Sequence, residues 1–556
     1  MSETLLPLVE VELGVVLAAY ATGTGGAALE RRLEQDLAAL AARLGLPGKP
    51  RVGLRATESE RAVRICVDGR IRPYPLTVFR RAWLAVAPDE LSGVPLDAAA
   101  TEPGVYPDVW LAGIADADDP TLRGTVVAYL ARLVLETVAR RPASLLSGAV
   151  AEAFFEGEER TIDATAEERI EVLGRLLNLG VELRPREAVQ RVVRGCFASA
   201  GDVYDAVEEV FVRLARERIE VRVHPSYLAQ LGVQPDDAPL GITDERLPEE
   251  LREAGGVVAD HLLELGVVRP ITLIADERVR VDQAEIRIND HVGLPIPIAR
   301  PGEMVAHAAP WKVHGEHTRV LIDAASGHRL TAIPAGAEGG SSTTFDFATT
   351  SAAAFLPVAV AREVSPLAYR LITVEDVERE LASYAEGSRA LVYAALQRVR
   401  LAQLTSLIRS LVRDRVSGRD LSSLLNALLR SEHALLAGPD RAIEFVRREL
   451  APRVTLDSIA DVKGGQLDAF ETDEALERLA TAQADGDDGE SIRDIIRTTL
   501  LRRRVPADAV ILTDDAARQA LRDLLAPEFP SIYVLARSEV PKHVRIRRMA
   551  WITGAR

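Results

Sequence analysis

Lysine is nearly missing from this 556-residue chain: apart from Lys49, Lys312, Lys463 and Lys542, its basic charge is carried by arginine. The bias fits a GC-rich bacterial genome and says nothing of mechanism. Cysteine is scarcer still. Cys66 and Cys196 lie far apart, so no disulfide framework is expected and a reducing, cytoplasmic setting suits the chain better. Long apolar runs are lacking: the longest, at 13–21 and 352–361, fall well short of the roughly 20 residues that a spanning helix needs. The opening, MSETLLPLVEVELG, has no basic stretch followed by an apolar core, so no signal peptide is expected. Positive net charge is lacking too. At −16 the chain would repel nucleic-acid phosphates and anionic lipid, and the short basic run at 502–504 sits among acidic neighbours as a solvated helix end. No nucleic-acid partner and no membrane insertion are expected.

What is present suits a soluble, multidomain protein. Hydrophobic residues make up 47% and charged residues 27%, and the length suits roughly three to five domains. The stretch SLIRSLVRDRVSGRDLSSLLNALL at 406–429 reads as two short helices. Leu407, Ile408, Leu411 and Val412 share one helical face, and Leu421, Leu424, Leu425 and Leu428 repeat the pattern. Gly418 is expected to take the positive φ that ends the first helix, and Asp420 to cap the second.

A weaker copy occurs upstream. Leu173, Leu176, Leu177 and Val181, then Pro185, Val189 and Val193 keep the same plan. A third helix follows in both places, matched through Ala206 and Ala442, Val207 and Ile443, Glu208 and Glu444, Val210 and Val446, Leu214 and Leu450. Residues 37–73 and 259–295 also correspond as helix, turn, strand and strand, with Leu44-Gly45 beside Leu265-Gly266 and Pro50 beside Pro270. Elements in one order at a nearly constant offset predict a diverged tandem duplication. The fold class expected is α+β and multidomain: two diverged copies of an α/β subdomain plus helical bundle, with a small C-terminal α/β subdomain. The boundaries are a first α/β region at 1–160, a first helical bundle at 161–222, a second α/β region at 223–365, a second bundle at 366–460 and the C-terminal subdomain at 461–556. Residues 330–354, rich in Gly, Ser, Thr and Ala, are expected to form a loop or irregular insertion, and 481–492 an acidic linker.

Signatures of chemistry are weak. His307, His314 and His317, with Glu316 between two of them, have partial metal-like spacing, but strand-like flanks favour an exposed hairpin. The Gly-rich 21–30 lacks the Lys-Ser/Thr of a phosphate loop and reads as a flexible turn. Asp514-Asp515 suits the cap and first turn of a helix, and Asp487-Asp488 lies in the linker. No Ser, Cys or Thr sits in a recognisable nucleophile elbow. No catalytic residue, cofactor or metal is assigned. Tyr106, Pro107 and Trp110 stand out instead: aromatics are only 4% of the chain, and two of them fall in one Pro-rich stretch, where large rings often anchor partners. Burial of Trp110 in a small sheet is the competing reading.

At these residues the chain resembles the cytosolic part of the FHIPEP family, the large export-gate proteins of flagellar and virulence type III secretion systems. The resemblance rests on the hairpin with Val416, Ser417, Arg419, Asp420 and Leu421, on YVLARSEVPKHVRI at 533–546, and on the Pro-rich stretch at 91–111. The family's membrane helices and their signature are not matched, and the family has one cytosolic copy where this chain reads as two. The resemblance implies a non-catalytic protein-binding scaffold, with chaperone- or substrate-like protein partners held in clefts between subdomains and a weak homo-oligomer favoured over a stable monomer. Two readings compete with it: an enzyme whose site is assembled between the halves from acids and the histidines of 291–328, and a structural subunit of a cytoplasmic assembly.

Overall fold

The computed structural model describes residues 5–14, 24–57, 63–67, 70–74, 83–84, 109–110, 142–156, 164–199, 202–214, 218–293, 296–306, 319–322, 329–334, 349–430, 439–451, 466–482, 509–525 and 532–553, with short helical pieces between 130 and 139 and at 454. The first unit contains β1 (Leu5–Gly14), α1 (Thr24–Leu44), β2 (Lys49–Thr57), β3 (Val63–Val67) and β4 (Arg70–Tyr74). β1 is central. β2 runs parallel along one side of it, β3 antiparallel along the other, and β4 pairs with β3. Val9, Val11 and Leu13 alternate into the core, and α1 lies on the sheet through one stripe, Leu29, Leu33, Leu37, Leu40 and Leu44, all buried. Thr24 opens α1, so the Gly-rich stretch expected as a turn supplies the first helical residues.

A helical unit follows: α2 (Gly148–Phe155), α3 (Ala166–Asn178), α4 (Arg186–Ser199) and α5 (Val203–Leu214). Thr165 and Glu168 close a reciprocal capping box at the start of α3, satisfying two otherwise open amides. Leu173, Leu176 and Leu177, read from the sequence as one stripe, are fully buried.

The next sheet repeats the first one's order. Its elements are β7 (Ile219–Val223), α6 (Pro225–Gln230), β8 (Leu240–Gly241), α7 (Glu249–Glu264), β9 (Ile271–Ala275), β10 (Gln283–Ile288), β11 (His291–Val292) and β12 (Ile296–Pro297). β7 is central, β9 is parallel to it, β10 is antiparallel on the other side, and β11 pairs with β10. The boundary expected at 222/223 therefore cuts through a strand: Ile219 and Val221 are core residues of this sheet, not of the helical unit before it. The helices of both sheets end alike. Gly45 and Gly266 take φ of 78° and 91°, and Leu46 N–H and Val267 N–H reach back to Ala41 O and Leu262 O at 2.9 Å each.

An antiparallel sheet comes next, of β13 (Glu303–Ala306), β14 (Arg319–Ile322), β15 (Arg329–Pro334) and β16 (Thr349–Ser351), in the order β14-β15-β13-β16. This corrects the loop expected at 330–354. Strands occupy both its ends and α8 (Ala352–Val364) opens at its last residues, because Arg329–Pro334 pairs with two neighbours while Ser351 caps α8. Residues 335–348 lie outside the described set.

The second helical unit is α9 (Val374–Leu396), α10 (Leu401–Arg413), α11 (Leu421–Arg430) and α12 (Pro439–Glu449). The positive φ expected at Gly418 belongs to Arg415, at 64°, where Val416 N–H bonds Leu411 O at 2.9 Å. Gly180 does the same after α3, with φ 82° and Val181 N–H on Leu176 O at 3.0 Å. Gly418 is required for space: a Cβ there would lie 2.8 Å from Ile408 Cγ2. Asp420 caps α11 as expected, accepting from Ser423 N–H at 3.1 Å.

The C-terminal unit has β17 (Gln466–Thr472), α13 (Glu474–Ala482), β18 (Val510–Thr513), α14 (Arg518–Leu525), β19 (Tyr533–Ala536) and β20 (Arg545–Ile552). All its strand pairs are parallel, in the order β19-β18-β17-β20. The strand, helix and strand expected after 508 are β18, α14 and β19. Asp514 supports the turn before α14, accepting from Ala517 N–H at 2.7 Å. One apolar cluster spans Leu6 to Phe211, another Ile219 to Val544, and a third backs the C-terminal sheet. Tyr369 packs against both of the first two.

Candidate partner-binding site

The aromatic stretch singled out in the sequence is described only in part. β5 (Trp83–Leu84) pairs antiparallel with β6 (Val109–Trp110), placing Trp83 directly opposite Trp110 and Leu84 opposite Val109. Tyr106 and Pro107 lie outside the described residues, as do His307, His314, His317 and Asp487-Asp488. Trp83 was not anticipated. Its pairing with Trp110 could have been suspected from the scarcity of tryptophan, which gives this short ladder two of the chain's four.

An open groove of about 560 Å³ lies on the second α/β unit, where the β9–β10 turn meets the start of α6. Its charged and polar lining is His224, Glu277, Arg278, Arg280, Asp282 and Arg300. Asp282 is buried and holds two of the arginines, Arg300 Nη2 at 3.2 Å and Arg280 Nε at 3.4 Å. His224 is fixed as the cap of α6, its Nδ1 accepting from Ser226 N–H at 3.1 Å. With three guanidinium groups to the two carboxylates of Glu277 and Asp282, the groove wall favours an acidic surface over a basic one.

Elsewhere, the units of the chain are joined by buried charge. Between the helical units, Arg409 of α10 grips Glu208 of α5 with both terminal nitrogens, Nη2 lying 2.9 Å from Oε2, while its Nε donates to Ile372 O at 2.8 Å. Burial pushes the Glu208 carboxyl above its ordinary value, against the pull of Arg409. Arg400 adds Asp205 at 2.8 Å on the rim. Nearby, the side-chain amide of Asn289, fully buried in the β10–β11 turn, donates to Leu179 O at 3.1 Å and Arg370 O at 2.9 Å, tying three units at one point. Burial also drives the adjacent His291 well below the usual imidazole value, helped by Arg370, so it is neutral.

The second seam is built on the elbow after α10. Asp414 Oδ2 accepts from Arg518 Nη1 at 3.0 Å and Arg447 Nη1 at 3.3 Å; Arg447 in turn holds Glu539, with Nε 2.7 Å from Oε1, and Arg518 holds Glu444. Burial alone would raise the Asp414 carboxyl, but Arg518, Arg447, Arg413 and Arg522 outweigh it and hold the group at about 2. Arg415 stacks over Tyr533, 4.6 Å from its centroid. The elbow recognised in the sequence is thus the point where the C-terminal unit docks. Sequence spacing could not reveal it, because the partners come from α12, α14 and the turn after β19.

Among the described residues, no group of three or more His, Cys, Asp or Glu side chains is placed to hold a metal ion, and no helix is long and apolar enough to cross a membrane. Cys196 is buried, and desolvation pushes its thiol up to about 11.

The model of the FHIPEP family matches residues 241–545. No curated protein matches the chain. Among solved structures, the chain is similar to the Chlamydia pneumoniae CdsV protein at 14% identity and a TM-score of 0.49, the match covering 60% of this chain and 97% of that one. It is similar to the Shigella flexneri MxiA protein at 13% identity and a TM-score of 0.45, covering 60% and 98%. Nonameric EPEC SctV-C is matched at 13% identity and a TM-score of 0.43, covering 60% and 98%.

Proposed function

We propose, from the premise that this chain belongs to the FHIPEP family, that it is a non-catalytic protein-binding scaffold related to the cytosolic part of type III secretion export-gate proteins. Its partners are proteins, held in grooves between units. The observation that carries this reading is the double seam: the Glu208–Arg409 pair and the Asp414 cluster bring the two helical units and the C-terminal unit side by side, the arrangement that clefts between units require. The cytoplasm is its place of action. Tyr106, Pro107 and Trp110 belong to a partner-binding surface, supported by the pairing of Trp110 with Trp83. Weak self-association draws on exposed Val257 and Tyr393.

The same proposal includes a tandem duplication. Its support is the shared strand order β2-β1-β3-β4 and β9-β7-β10-β11, the matched helix ends at Gly45 and Gly266, and the matched elbows at Gly180 and Arg415. The family match, at 241–545, leaves the first copy outside it.

Site-specific photo-crosslinking tests the binding role. A photoreactive residue at Arg278 or Trp110 of the full chain, activated in cells, should capture the same small set of proteins, and one at Lys49 should not. Capture of nothing but the chain itself, or an identical set from Lys49, would overturn the reading.

A further inference from the structure

Among the described residues β20 has a strand neighbour, β17, on one side only, and it ends the order of the C-terminal sheet. An edge of this length presents a row of backbone donors and acceptors to any extended chain. Its side chains are unusual for an edge. Ile546, Met549 and Trp551 are 43%, 45% and 46% exposed, three large apolar groups on one strand. The register with β17 places Ile546, Arg548 and Trp551 opposite Leu467, Ala469 and Glu471, hence on one face, while Met549 sits at the irregularity between Ala469 and Phe470.

That face is held in shape. Arg548 lies over the Trp551 ring, 4.2 Å from its centroid, and its Nε and Nη2 reach Glu471 Oε1 and Oε2 at 2.9 and 3.2 Å. The indole is therefore fixed in an exposed position before any partner arrives. Basic charge runs along the same segment: Lys542, Arg545, Arg547 and Arg548 are all exposed, and since Arg547 pairs with Asp468 and Arg548 with Glu471, the charge in excess is that of Lys542 and Arg545.

We propose that β20 is a docking edge for an extended, acidic segment of a partner protein, which joins the C-terminal sheet as an added strand and covers Ile546 and Trp551 with alternate apolar side chains. Charge selects this occupant. A second copy pairing edge to edge would bring two segments of the same excess positive charge together, which is repulsive, whereas an acidic strand meets Lys542 and Arg545 favourably. The edge lies apart from the groove on the second α/β unit, and the proposal does not depend on that groove.

A labelled peptide alternating Glu with Val, titrated into the full chain and followed by fluorescence anisotropy, tests it. Saturable binding is expected, with about tenfold or greater weakening when Lys replaces Glu, when alternate peptide amides are N-methylated, or when the chain carries Trp551→Ala or Arg545→Glu. Val268→Ala, at an exposed site elsewhere, should change nothing. Protection of β20 amides from hydrogen exchange on binding reports the added strand independently of any substitution. The proposal is overturned if N-methylation leaves affinity unchanged, if the Lys peptide binds equally well, if no binding saturates, or if Trp551→Ala abolishes self-association instead, which would make a second copy the occupant.

Discussion

Arg409 and Glu208, 201 residues apart in sequence, meet as a buried bidentate ion pair that joins the two helical units. The pair sits where the apolar clusters of the two halves stop, so neither charge can turn to water. Removing one partner leaves the other desolvated and unmatched.

Arg409→Met should accordingly destabilise the chain by about 3 kcal/mol, measured by urea unfolding, and Glu208→Leu added to it should restore most of the loss. A loss well under about 1 kcal/mol for the single change would show that the pair is not structural.

Stability should fall on acidification through Asp414. Its folded value, about 2, lies below the ordinary 3.8, so its contribution is complete above pH 4 and is lost as pH falls towards 2. The size is roughly 2 kcal/mol, and Asp414→Asn should flatten that part of the pH–stability curve while lowering stability near neutrality, since Arg447 and Arg518 lose the carboxylate they share and keep only Glu539 and Glu444. An unchanged acid slope in the variant would refute the assignment.

Gly45→Ala and Gly232→Ala separate backbone strain from collision. Both glycines have positive φ, 78° and 82°, but a Cβ at Gly45 would lie 2.3 Å from Leu183 O and one at Gly232 meets nothing within 4 Å. The Gly232 variant should lose about 1 kcal/mol, and the Gly45 variant several times that, in thermal unfolding. Equal losses would mean that the contact between α1 and Leu183 gives way easily.

Self-association should be weak and concentration-dependent by light scattering, and reduced by Val257→Glu or Tyr393→Glu at the exposed apolar positions. A mass fixed at 60.3 kDa up to high concentration would leave a single multi-unit chain as the working form.

The helices were legible because their apolar stripes are periodic: Leu173, Leu176 and Leu177, and Leu421, Leu424, Leu425 and Leu428, are all buried as their spacing requires. The central strands β1 and β7 were not, since nothing local marks a strand as central. Gly418 shows a subtler failure. Glycine is the usual bearer of positive φ, yet here Arg415 bears it, and Gly418 is small because Ile408 crowds it, a long-range packing fact. The seams were hidden for the same reason. Arginine is abundant in the sequence, and only the folded chain decides that Arg447 and Arg518 are buried while Arg547 is exposed.

Tyr369 packs against the apolar clusters of both halves, and the other contacts described at that boundary are ion pairs, hydrogen bonds to backbone carbonyls and Arg409 over the Phe211 ring. Such a boundary transmits little of the cooperative, area-proportional energy that makes a domain melt as one. Each half would then open and close on its own clock. A proline or a charge introduced deep in one half should lower that half's resistance to unfolding and leave the other's amide protection nearly untouched.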